Sequence, residues 1–227
     1  TTTSGGVYKS TNAGESWRVI GGSDLCDDEE AGGNCHYHGI IIEKEAPFKV
    51  LVGSGGDQYS KEDVGLTGSE DNGESWRNSD DGFVRDVHVS KLIIDPNNNN
   101  VFYATTQGAT EYTDKVGDGA GVFKSTDRGN NWTQIGQNIN GILGDEAGKS
   151  VAISSTGNII AFGAFKNDDS GTESGQVRIF KNVGGIWTQL GQNINGISSN
   201  DKNGFSISLN ENGTTVAMGA PENDNLG

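Results

Sequence analysis

Apolar residues in this chain occur in short runs that turn residues interrupt. No stretch keeps an apolar period near 3.6 residues, so long helices are not predicted. Runs rich in β-branched and aromatic residues, bounded by Gly, Asn, Ser and Asp, are typical of short strands. The clearest predicted strands are residues 39–42, 50–53, 91–95, 101–105, 151–154, 159–164, 176–181 and 205–209. The pattern predicts an all-β chain of short strands joined by tight turns.

A Ser-x-Asx-x-Gly-x-x-Trp motif occurs three times, each time after a short β run. Its members are Ser10, Asn12, Gly14 and Trp17; Ser69, Asp71, Gly73 and Trp76; and Ser125, Asp127, Gly129 and Trp132. Together with Trp187, the motif Trp residues lie 59, 56 and 55 residues apart. Such even spacing indicates a repeat architecture. Four predicted strands per repeat correspond to one blade of a β-propeller.

The residue types of the motif predict a hydrogen-bonded hairpin corner with an aromatic anchor. The Ser and Asx side chains can accept hydrogen bonds from nearby backbone N–H groups, and the Gly can adopt the positive φ that a tight turn needs. The Trp opens the next strand and offers a large apolar body for packing between sheets. Asn12 departs from the Asp of the other two motifs, but Asn can make similar contacts.

The second half of the chain carries a more literal repeat. The segment 132–142, WTQIGQNINGI, returns at 187–197 as WTQLGQNINGI. Further downstream, 150–154 aligns with 206–209, 161–164 with 217–220, and 167–168 with 223–224. Residues 180–187 are a shortened version of 123–132. The register of the repeat therefore continues through the whole chain.

These two patterns resemble known propeller repeats. Residues 1–132 resemble the Asp-box repeat of sialidase-like and sortilin-like β-propellers, and residues 133–227 resemble the FG-GAP-like repeats of secreted and cell-surface proteins of Bacteroidetes-type bacteria. The resemblance implies one propeller domain over residues 1–227, built of four-stranded antiparallel blades. It also implies a mainly structural role for the Asp-box side chains.

The sequence holds about four blades' worth of strands. It begins on the third strand of one blade and stops after the second strand of another, and the two halves could combine into a split blade. A closed ring of four blades and a part of a larger propeller both fit this pattern. The absence of an initial Met and the change of repeat type near residue 132 favour the larger propeller.

The net charge of −15 excludes some classes of partner. A basic stripe is the expected footprint of a nucleic-acid binder, so we expect no nucleic acid here. Direct binding to an anionic membrane surface is disfavoured for the same reason, and no apolar run approaches the length of a membrane span. An acidic surface suits solubility in salty extracellular media and attraction of divalent cations.

The two cysteines, Cys26 and Cys35, flank an acidic segment. A disulfide between them would fit a secreted or cell-surface protein. Two alternatives are a pair of free thiols and a metal site that adds His36 and His38. The C-x8-C-H-x-H spacing is not one of the usual zinc patterns, so we expect the disulfide.

Calcium is the cofactor that the acidic loops favour most. Asn167, Asp168 and Asp169 precede a Gly and offer the oxygen ligands that hard cations prefer, and Asp224 belongs to the weaker repeat of this loop. The loop lacks the alternating D-x-D-x-D-G spacing of true FG-GAP calcium loops. The alternative is a polar turn that its own side chains stabilise.

The sequence favours a non-catalytic role. A sialidase needs a cluster of arginines, whereas Arg18, Arg77 and Arg128 occupy repeat positions. A glycosidase needs two facing carboxylates, and nothing singles out such a pair. We therefore expect an extracellular binding, adhesion or structural scaffold. The alternative is a glycoside hydrolase of the Asp-box propeller type, sialidase-like or xyloglucanase-like, present only in part.

Propellers bind partners through loops at one face. The longest predicted insertions are 23–38, 53–63 and 106–119, and Tyr37, Tyr59 and Tyr112 within them are the expected ligand contacts. The expected partner is a protein or a glycan at this loop face, or another chain of an extracellular assembly.

Overall fold

The computed structural model describes residues 7–20, 36–43, 48–55, 65–83, 89–106, 121–142 and 144–224, with backbone alone at 36–38 and 54–55. Cys26, Cys35, Tyr59, Tyr112 and the side chain of Tyr37 lie outside this part. The disulfide and the three tyrosine contacts therefore stay predictions.

The described residues form strands and turns, and no helix among them could cross a membrane. The strands are β1 Val7–Lys9, β2 Arg18–Ile20, β3 His36–Ile42, β4 Val50–Gly55, β5 Leu66–Ser69, β6 Arg77–Asn78, β7 Val89–Ile94, β8 Phe102–Thr106, β9 Val122–Ser125, β10 Thr133–Gln134, β11 Ser150–Ile153, β12 Ile159–Ala164, β13 Gln176–Val183, β14 Ile186–Gln189, β15 Ile194–Asn195, β16 Ser206–Leu209 and β17 Val216–Gly219.

The strands form five antiparallel sheets in chain order. The second sheet is β3-β4-β5-β6, the third is β7-β8-β9-β10, and the fourth is β11-β12-β13-β14 with β15 added on β13. The first sheet, β1-β2, and the fifth sheet, β16-β17, have two strands each. The first strands of successive sheets, β3, β7, β11 and β16, contact one another in turn. Four-stranded meanders stacked in this way are the blades of a β-propeller.

Each sheet has a back face toward the preceding sheet and a front face toward the following one. Because side chains alternate along a strand, neighbouring residues belong to different faces. In β4, Val50 and Val52 pack backward against Val7 and Ile20 of the first sheet. Leu51, between them, packs forward against the third sheet, where it contacts a cluster that includes Phe102.

The hydrophobic core is therefore divided into layers between sheets. The layer between the second and third sheets contains Leu51, Leu66, Val89, Leu92, Phe102, Ala104, Phe123 and Trp132. The layer between the third and fourth sheets includes Tyr103, Val122, Val151, Ile160, Phe162 and Trp187. Burying each large side chain in such a layer contributes about 1.5–3 kcal/mol, so every sheet depends on its neighbours for stability.

Three of the four repeated Trp side chains, Trp76, Trp132 and Trp187, pack against the sheet before their own. Trp132 Nε1 donates to the Ser79 carbonyl at 2.9 Å, and Trp187 Nε1 donates to the Ile135 carbonyl at 2.7 Å. Each acceptor lies three residues after the preceding Trp. Trp76 packs against the first sheet. Trp17 is 63% exposed, contrary to the expected packing between sheets, because no described sheet covers the back face of β1 and β2.

The predicted strands are observed with small shifts in their bounds. The strand predicted at 39–42 begins at His36, and the strand predicted at 176–181 extends to Val183. The split blade is not formed among the described residues, since β1-β2 and β16-β17 are separate sheets. Each packs on a different neighbour: the first sheet on β4, and the fifth sheet on β11 and β12.

Gly129 tests how tightly the motif turns are packed between sheets. Its φ is +79°, and an added Cβ would lie 2.6 Å from Leu51 Cδ1. We expect Gly129→Ala to lower the free energy of unfolding by about 3 kcal/mol, through backbone strain and overpacking together. The control is Gly144→Ala, at φ +94° with no heavy atom within 4 Å, which should cost about 1 kcal/mol. Equal losses in urea unfolding would contradict the packing argument.

Candidate functional site

The strand order gives the sheet stack two chemically different ends. The turns between first and second strands and between third and fourth strands lie at one end, which we call the turn end. The connections between second and third strands, and those from one sheet to the next, leave from the opposite end, the loop end. The three Ser-Asx-Gly-Trp motifs join third to fourth strands and so lie at the turn end. The loop 165–175, with Asn167, Asp168 and Asp169, lies at the loop end.

The three motif turns share one hydrogen-bond pattern. In each turn the Ser hydroxyl donates to the Asx Oδ1, at 2.9 Å from Ser10, 2.8 Å from Ser69 and 2.7 Å from Ser125. The same hydroxyl accepts from the Gly N–H, at 2.8, 2.7 and 2.8 Å respectively. The Ser side chain thus bridges the two halves of the turn.

The Asx oxygen closes the second half of each turn. It accepts from the backbone N–H four residues on, at Ser16, Ser75 and Asn131, over 3.0, 2.8 and 2.9 Å. The side chains of the same three residues bond the remaining Asx atom at 2.8, 2.5 and 2.7 Å. All the polar atoms of the Asx side chains are therefore occupied within the turn, and they are not available to a substrate.

Hydrogen bonding shifts the titration of the two motif aspartates. Donation by Ser75 and Ser69 holds the pKa of Asp71 well below its usual range. For Asp127, burial acts to raise the pKa, but hydrogen bonds from Asn131, Ser125 and Asn130 prevail and lower it to about 2. Both carboxylates are ionised acceptors at neutral pH, as a structural turn requires.

A charge network ties the third motif turn to the second sheet. Arg128 binds Glu43 through two bonds, Nε to Oε1 at 2.7 Å and Nη2 to Oε2 at 2.5 Å. Glu43 is buried and also accepts from the Lys49 N–H at 3.2 Å. Because a bidentate guanidinium fills the carboxylate, Glu43 is occupied on both oxygens.

Lys49 extends this network inward. Its Nζ donates to Asn130 Oδ1 at 2.7 Å and lies 3.6 Å from Glu70 Oε1. Burial lowers the pKa of Lys49, the charges of Arg128 and Arg77 act in the same direction, and Glu70 opposes them. Glu70 is itself paired with Arg77 at 2.6 Å. These contacts join two sheets.

A shallow groove opens between the second and third sheets at the turn end. Its volume is about 240 Å³, and its lining is mostly apolar, with Ile41, Ile42, Ile94 and Pro96 around Glu43, Asp95 and Asn99. Its one buried carboxylate is Glu43, which Arg128 holds. The groove therefore offers apolar contact and little chemistry.

The loop end of the fourth sheet contains a polar cluster centred on Asn167. This buried side chain donates from Nδ2 to Asp145 Oδ2 at 2.8 Å and accepts from the Asp169 N–H at 3.1 Å. Gln176 Nε2 bonds Asp169 Oδ2 at 2.7 Å, and Asp168 Oδ1 accepts from the Glu173 N–H at 2.8 Å. Burial raises the pKa of Asp145, and the charges of Asp168 and Asp169 add to the effect.

The fifth sheet repeats this arrangement in part. Asp201 is buried, and its Oδ2 accepts from the Ile197 and Ser198 N–H groups, both at 2.8 Å. Backbone donation by Ser198 lowers its pKa, and a hydrogen bond from Asn223 adds to the effect. Asp201 and Asn223 thus correspond to Asp145 and Asn167. Asp224, the last of the predicted calcium ligands, follows Asn223 directly in the chain.

The structure brings Asn167, Asp168 and Asp169 together with two residues that sequence reasoning missed, Asp145 and Gln176. Neither of these, nor Asp201 in the fifth sheet, gave a motif signal of its own. The equal spacing of Asp145 and Asp201 from their paired asparagines, 22 residues each, was the available clue. Within the described ranges, no three His, Cys, Asp or Glu side chains form a metal-binding group.

Comparison with known proteins gives similarity at the level of fold. No family model matches the chain, and no curated protein is significantly similar in sequence. A crystal structure of an ancestral GH74 enzyme matches with 18% identity and a TM-score of 0.59, over 96% of this chain and 27% of that one. This chain therefore spans about a quarter of that enzyme.

Two further solved structures are similar over less of the chain. The GH74 xyloglucanase from Xanthomonas campestris matches with 16% identity and a TM-score of 0.46, over 75% of this chain and 24% of that one. A thermostable family-43 glycoside hydrolase matches with 14% identity and a TM-score of 0.42, over 71% and 53%. The GH74 match with the higher TM-score agrees with the β-propeller fold of the described sheets.

The motif aspartates predict a specific acid dependence of stability. The folded pKa of Asp127, about 2, is below its unfolded value near 3.9. Its stabilising contribution is therefore present above about pH 4 and is lost as the pH falls toward 2. Between pH 5 and pH 2, the free energy of unfolding should fall by about 1 kcal/mol less in Asp127→Asn than in the parent chain. The difference is this small because solvent screens the interactions of the Asp127 carboxylate. Urea unfolding across this range measures it.

Asn12 supplies the reciprocal control for this prediction. It occupies the Asx position of the first turn, and its Oδ1 accepts from the Ser10 hydroxyl and the Ser16 N–H without carrying a charge. Asn12→Asp should therefore increase the loss of stability at low pH. Parallel pH profiles for all three proteins would show that the turn carboxylates are not the source of the acid dependence.

Calcium binding at the loop end of the fourth sheet stays a prediction. Calcium would have to recruit Asp168 and Asp169 from their present hydrogen bonds with Glu173 and Gln176. If it does, calcium should raise the melting temperature of the chelator-treated protein, because a ligand that binds only the folded state stabilises it. Asp168→Asn should remove most of that shift. An unchanged melting temperature would leave the cluster as a polar structural turn.

Proposed function

We propose that this chain is a non-catalytic β-propeller module of a secreted or cell-surface protein, which serves as a binding, adhesion or structural scaffold. The observation that carries the proposal is the state of its buried carboxylates. Glu43, Asp145 and Asp201 are the buried acidic side chains of the described part. Each is held by a fixed protein donor: Arg128, Asn167, and the Ile197 and Ser198 N–H groups respectively.

Fixed partners make these carboxylates poor acids or bases. A general acid needs a proton to give and a geometry open to the leaving group. Glu43 faces a bidentate guanidinium, and Asp201 is an ionised acceptor with a lowered pKa. Asp145 has a raised pKa but is buried behind the Asn167 amide. The buried carboxylates of the described residues therefore support a rigid platform rather than a cleft with two free carboxylates.

The repeat types fit this proposal. The first three sheets contain motif turns of the Asp-box kind, and the fourth and fifth repeat a different unit of the FG-GAP-like kind. In both, polar residues that recur between repeats bond one another within or between connections: Ser125 and Asp127 in one, Asn167 and Asp145 in the other. Polar side chains committed to turns leave recognition to the longer connections of the loop end.

The proposed ligand surface is the loop end of the second and third sheets. The connections from β4 to β5 and from β8 to β9 leave from there and carry Tyr59 and Tyr112. Tyr37 lies in β3, at the strand end nearest the same connections. Tyrosine side chains suit contact with a glycan or a protein surface, because each combines an apolar ring with a polar hydroxyl. The net charge of −15 favours a neutral or cationic partner.

The test separates binding from hydrolysis. The purified chain is incubated with xyloglucan oligosaccharides and with sialylated glycans, and release of new reducing ends is followed alongside binding to the same glycans in immobilised form. We expect saturable binding to at least one glycan or cell-surface protein without turnover. Substituting Tyr37, Tyr59 and Tyr112 together by Ala should weaken binding at least tenfold at an unchanged melting temperature.

Turnover would favour the glycoside hydrolase alternative. The carboxylates that could serve it are Asp57, Glu62, Asp63, Asp86 and Asp114, all outside the described residues. The scaffold proposal would be overturned if the chain hydrolyses a glycan and one Asp→Asn or Glu→Gln substitution in this set abolishes that hydrolysis. The matched control is Asp127→Asn in the third motif turn, which should leave any such activity unchanged.

A further inference from the structure

A buried lysine of the second sheet lies against an asparagine side chain of the third sheet. Lys49 Nζ donates to Asn130 Oδ1 at 2.7 Å, and the Lys49 side chain is only 2% exposed. A buried ammonium group has lost its hydration and is costly unless a carboxylate compensates it closely. Its ion-pair partner, Glu70 Oε1, is 3.6 Å away and also binds Arg77. The shorter contact of this amine is therefore with an amide, whose carbonyl carbon is an electrophile.

The packing of the two sheets brings these three side chains together. Lys49 and Glu70 continue the ladder between β4 and β5, since the residues next to them are paired in register, and cross-strand neighbours interact. Leu51, two residues after Lys49, points to the same forward face. An added Cβ at Gly129 would lie 2.6 Å from Leu51 Cδ1, and Asn130 follows Gly129 directly. The meeting of amine and amide is therefore built into a tight interface.

The separation suits attack of the amine on the amide carbon. Because a C=O bond is about 1.23 Å long, the 2.7 Å bond to Oδ1 places Nζ about 3.5 Å from Asn130 Cγ. Reacting atoms about 3–3.5 Å apart form a near-attack arrangement. Asn130 Nδ2, the group that would leave, donates to the Asp127 carbonyl at 2.8 Å. The third motif turn thus holds the amide in place from one side while Lys49 approaches from the other sheet.

The surroundings of Lys49 favour the uncharged amine, which is the nucleophilic form. Burial lowers the pKa of Lys49, and the positive charges of Arg128 and Arg77 act in the same direction. Glu70 opposes these effects, but its carboxylate is the acceptor for a proton that Nζ must lose. Asn130 is exposed, so a small molecule released from its side chain can reach solvent.

We propose that Lys49 and Asn130 form an intramolecular isopeptide bond between the second and third sheets, with Glu70 as the proton acceptor. Nζ forms a bond to Cγ of Asn130, the π electrons of the carbonyl move to Oδ1, and the intermediate collapses as the Cγ–Nδ2 bond breaks. Two protons leave Nζ, are passed through Glu70 to Nδ2, and depart with it as ammonium. The positive charge of Lys49 leaves with the ammonium ion, Glu70 ends as a carboxylate, and the reaction needs no co-reactant.

The bond would change how the interface resists unfolding. It would join positions 81 residues apart, in sheets that are otherwise linked by apolar burial and by the Glu43–Arg128 pair. A cross-link over so long a loop restricts the unfolded chain, so the two sheets would stay together when the apolar layer opens. This property would serve a scaffold, but the bond itself does not depend on the function proposed above.

Intact mass is the direct test. Loss of ammonia should lower the mass of the purified full chain by about 17 Da relative to its sequence, and reduction should not reverse this loss, as it would for a disulfide. Trypsin should release a branched species that joins residues 45–61, uncut at Lys49, to residues 129–149. Fragmentation of that species should place the link on Lys49 and Asn130.

Two substitutions separate the chemistry from the packing. Lys49→Arg keeps a positive charge and its donors but has no primary amine, so it should show the full sequence mass. Glu70→Gln changes a side chain that is 47% exposed, which should preserve the fold, and it should form the bond about a hundredfold more slowly because the proton acceptor is lost. The matched control is Lys9→Arg. Lys9 Nζ bonds a backbone carbonyl, that of Asn72, at 2.9 Å, so this variant should retain the mass loss.

The full sequence mass in the folded parent chain, unchanged after several days at neutral and alkaline pH, would overturn the proposal. Lys49 would then be a buried cation held by hydrogen bonds alone. A mass loss whose branched peptide maps to another lysine or another asparagine would contradict it equally. A bond that forms at the parental rate in Glu70→Gln would overturn the role given to Glu70.

Discussion

Burial of apolar side chains between successive sheets is the interaction on which this structure depends. Each sheet is a single layer of two to five strands with two faces, so neither face can be shielded from water by the sheet alone. Leu51 illustrates the constraint: it is fully buried in β4, and the cluster that buries it includes Phe102 and Phe123 of the third sheet. The alternation along β4 sends Val50 and Val52 to the opposite layer. A single strand therefore stabilises two interfaces, and the stability of the chain is shared among neighbours rather than held in one core.

The polar turns serve this packing. A Ser-Asx-Gly-Trp turn closes on itself by hydrogen bonds, which leaves its Gly free to approach the preceding sheet and its Trp free to extend into the apolar layer. Gly129 next to Leu51, and Trp132 bonded to the Ser79 carbonyl, belong to one turn and anchor one interface. The Glu43–Arg128 pair adds a charged link at the rim of the same interface. In the later repeat, the hydrogen bond from Asn167 to Asp145 links two connections at the opposite end of the stack.

This use of polar residues bears on function. Acidic side chains such as Asp71, Asp127, Asp169 and Glu43 are engaged by donors from their own or a neighbouring sheet. Their positions make the scaffold rigid, and a rigid scaffold suits recognition through the connections it carries. The fold similarity to GH74 enzymes is compatible with several activities, because a shared propeller fold does not fix the chemistry at its loops.

The sequence by itself determined the all-β class, the strand positions and the blade repeat, because turn chemistry and β periodicity are local properties. It indicated Ser125, Asp127 and Gly129 as a turn from their residue types alone. Only the tertiary structure decided which side chains meet across sheets. Asp145 and Gln176 joined the Asn167 cluster without any motif, and Trp17 proved exposed although it is identical in pattern to Trp132. The reason is physical: a hydrogen-bonded turn needs only neighbours in the chain, whereas burial needs a second surface, and no local pattern reveals whether that surface is present.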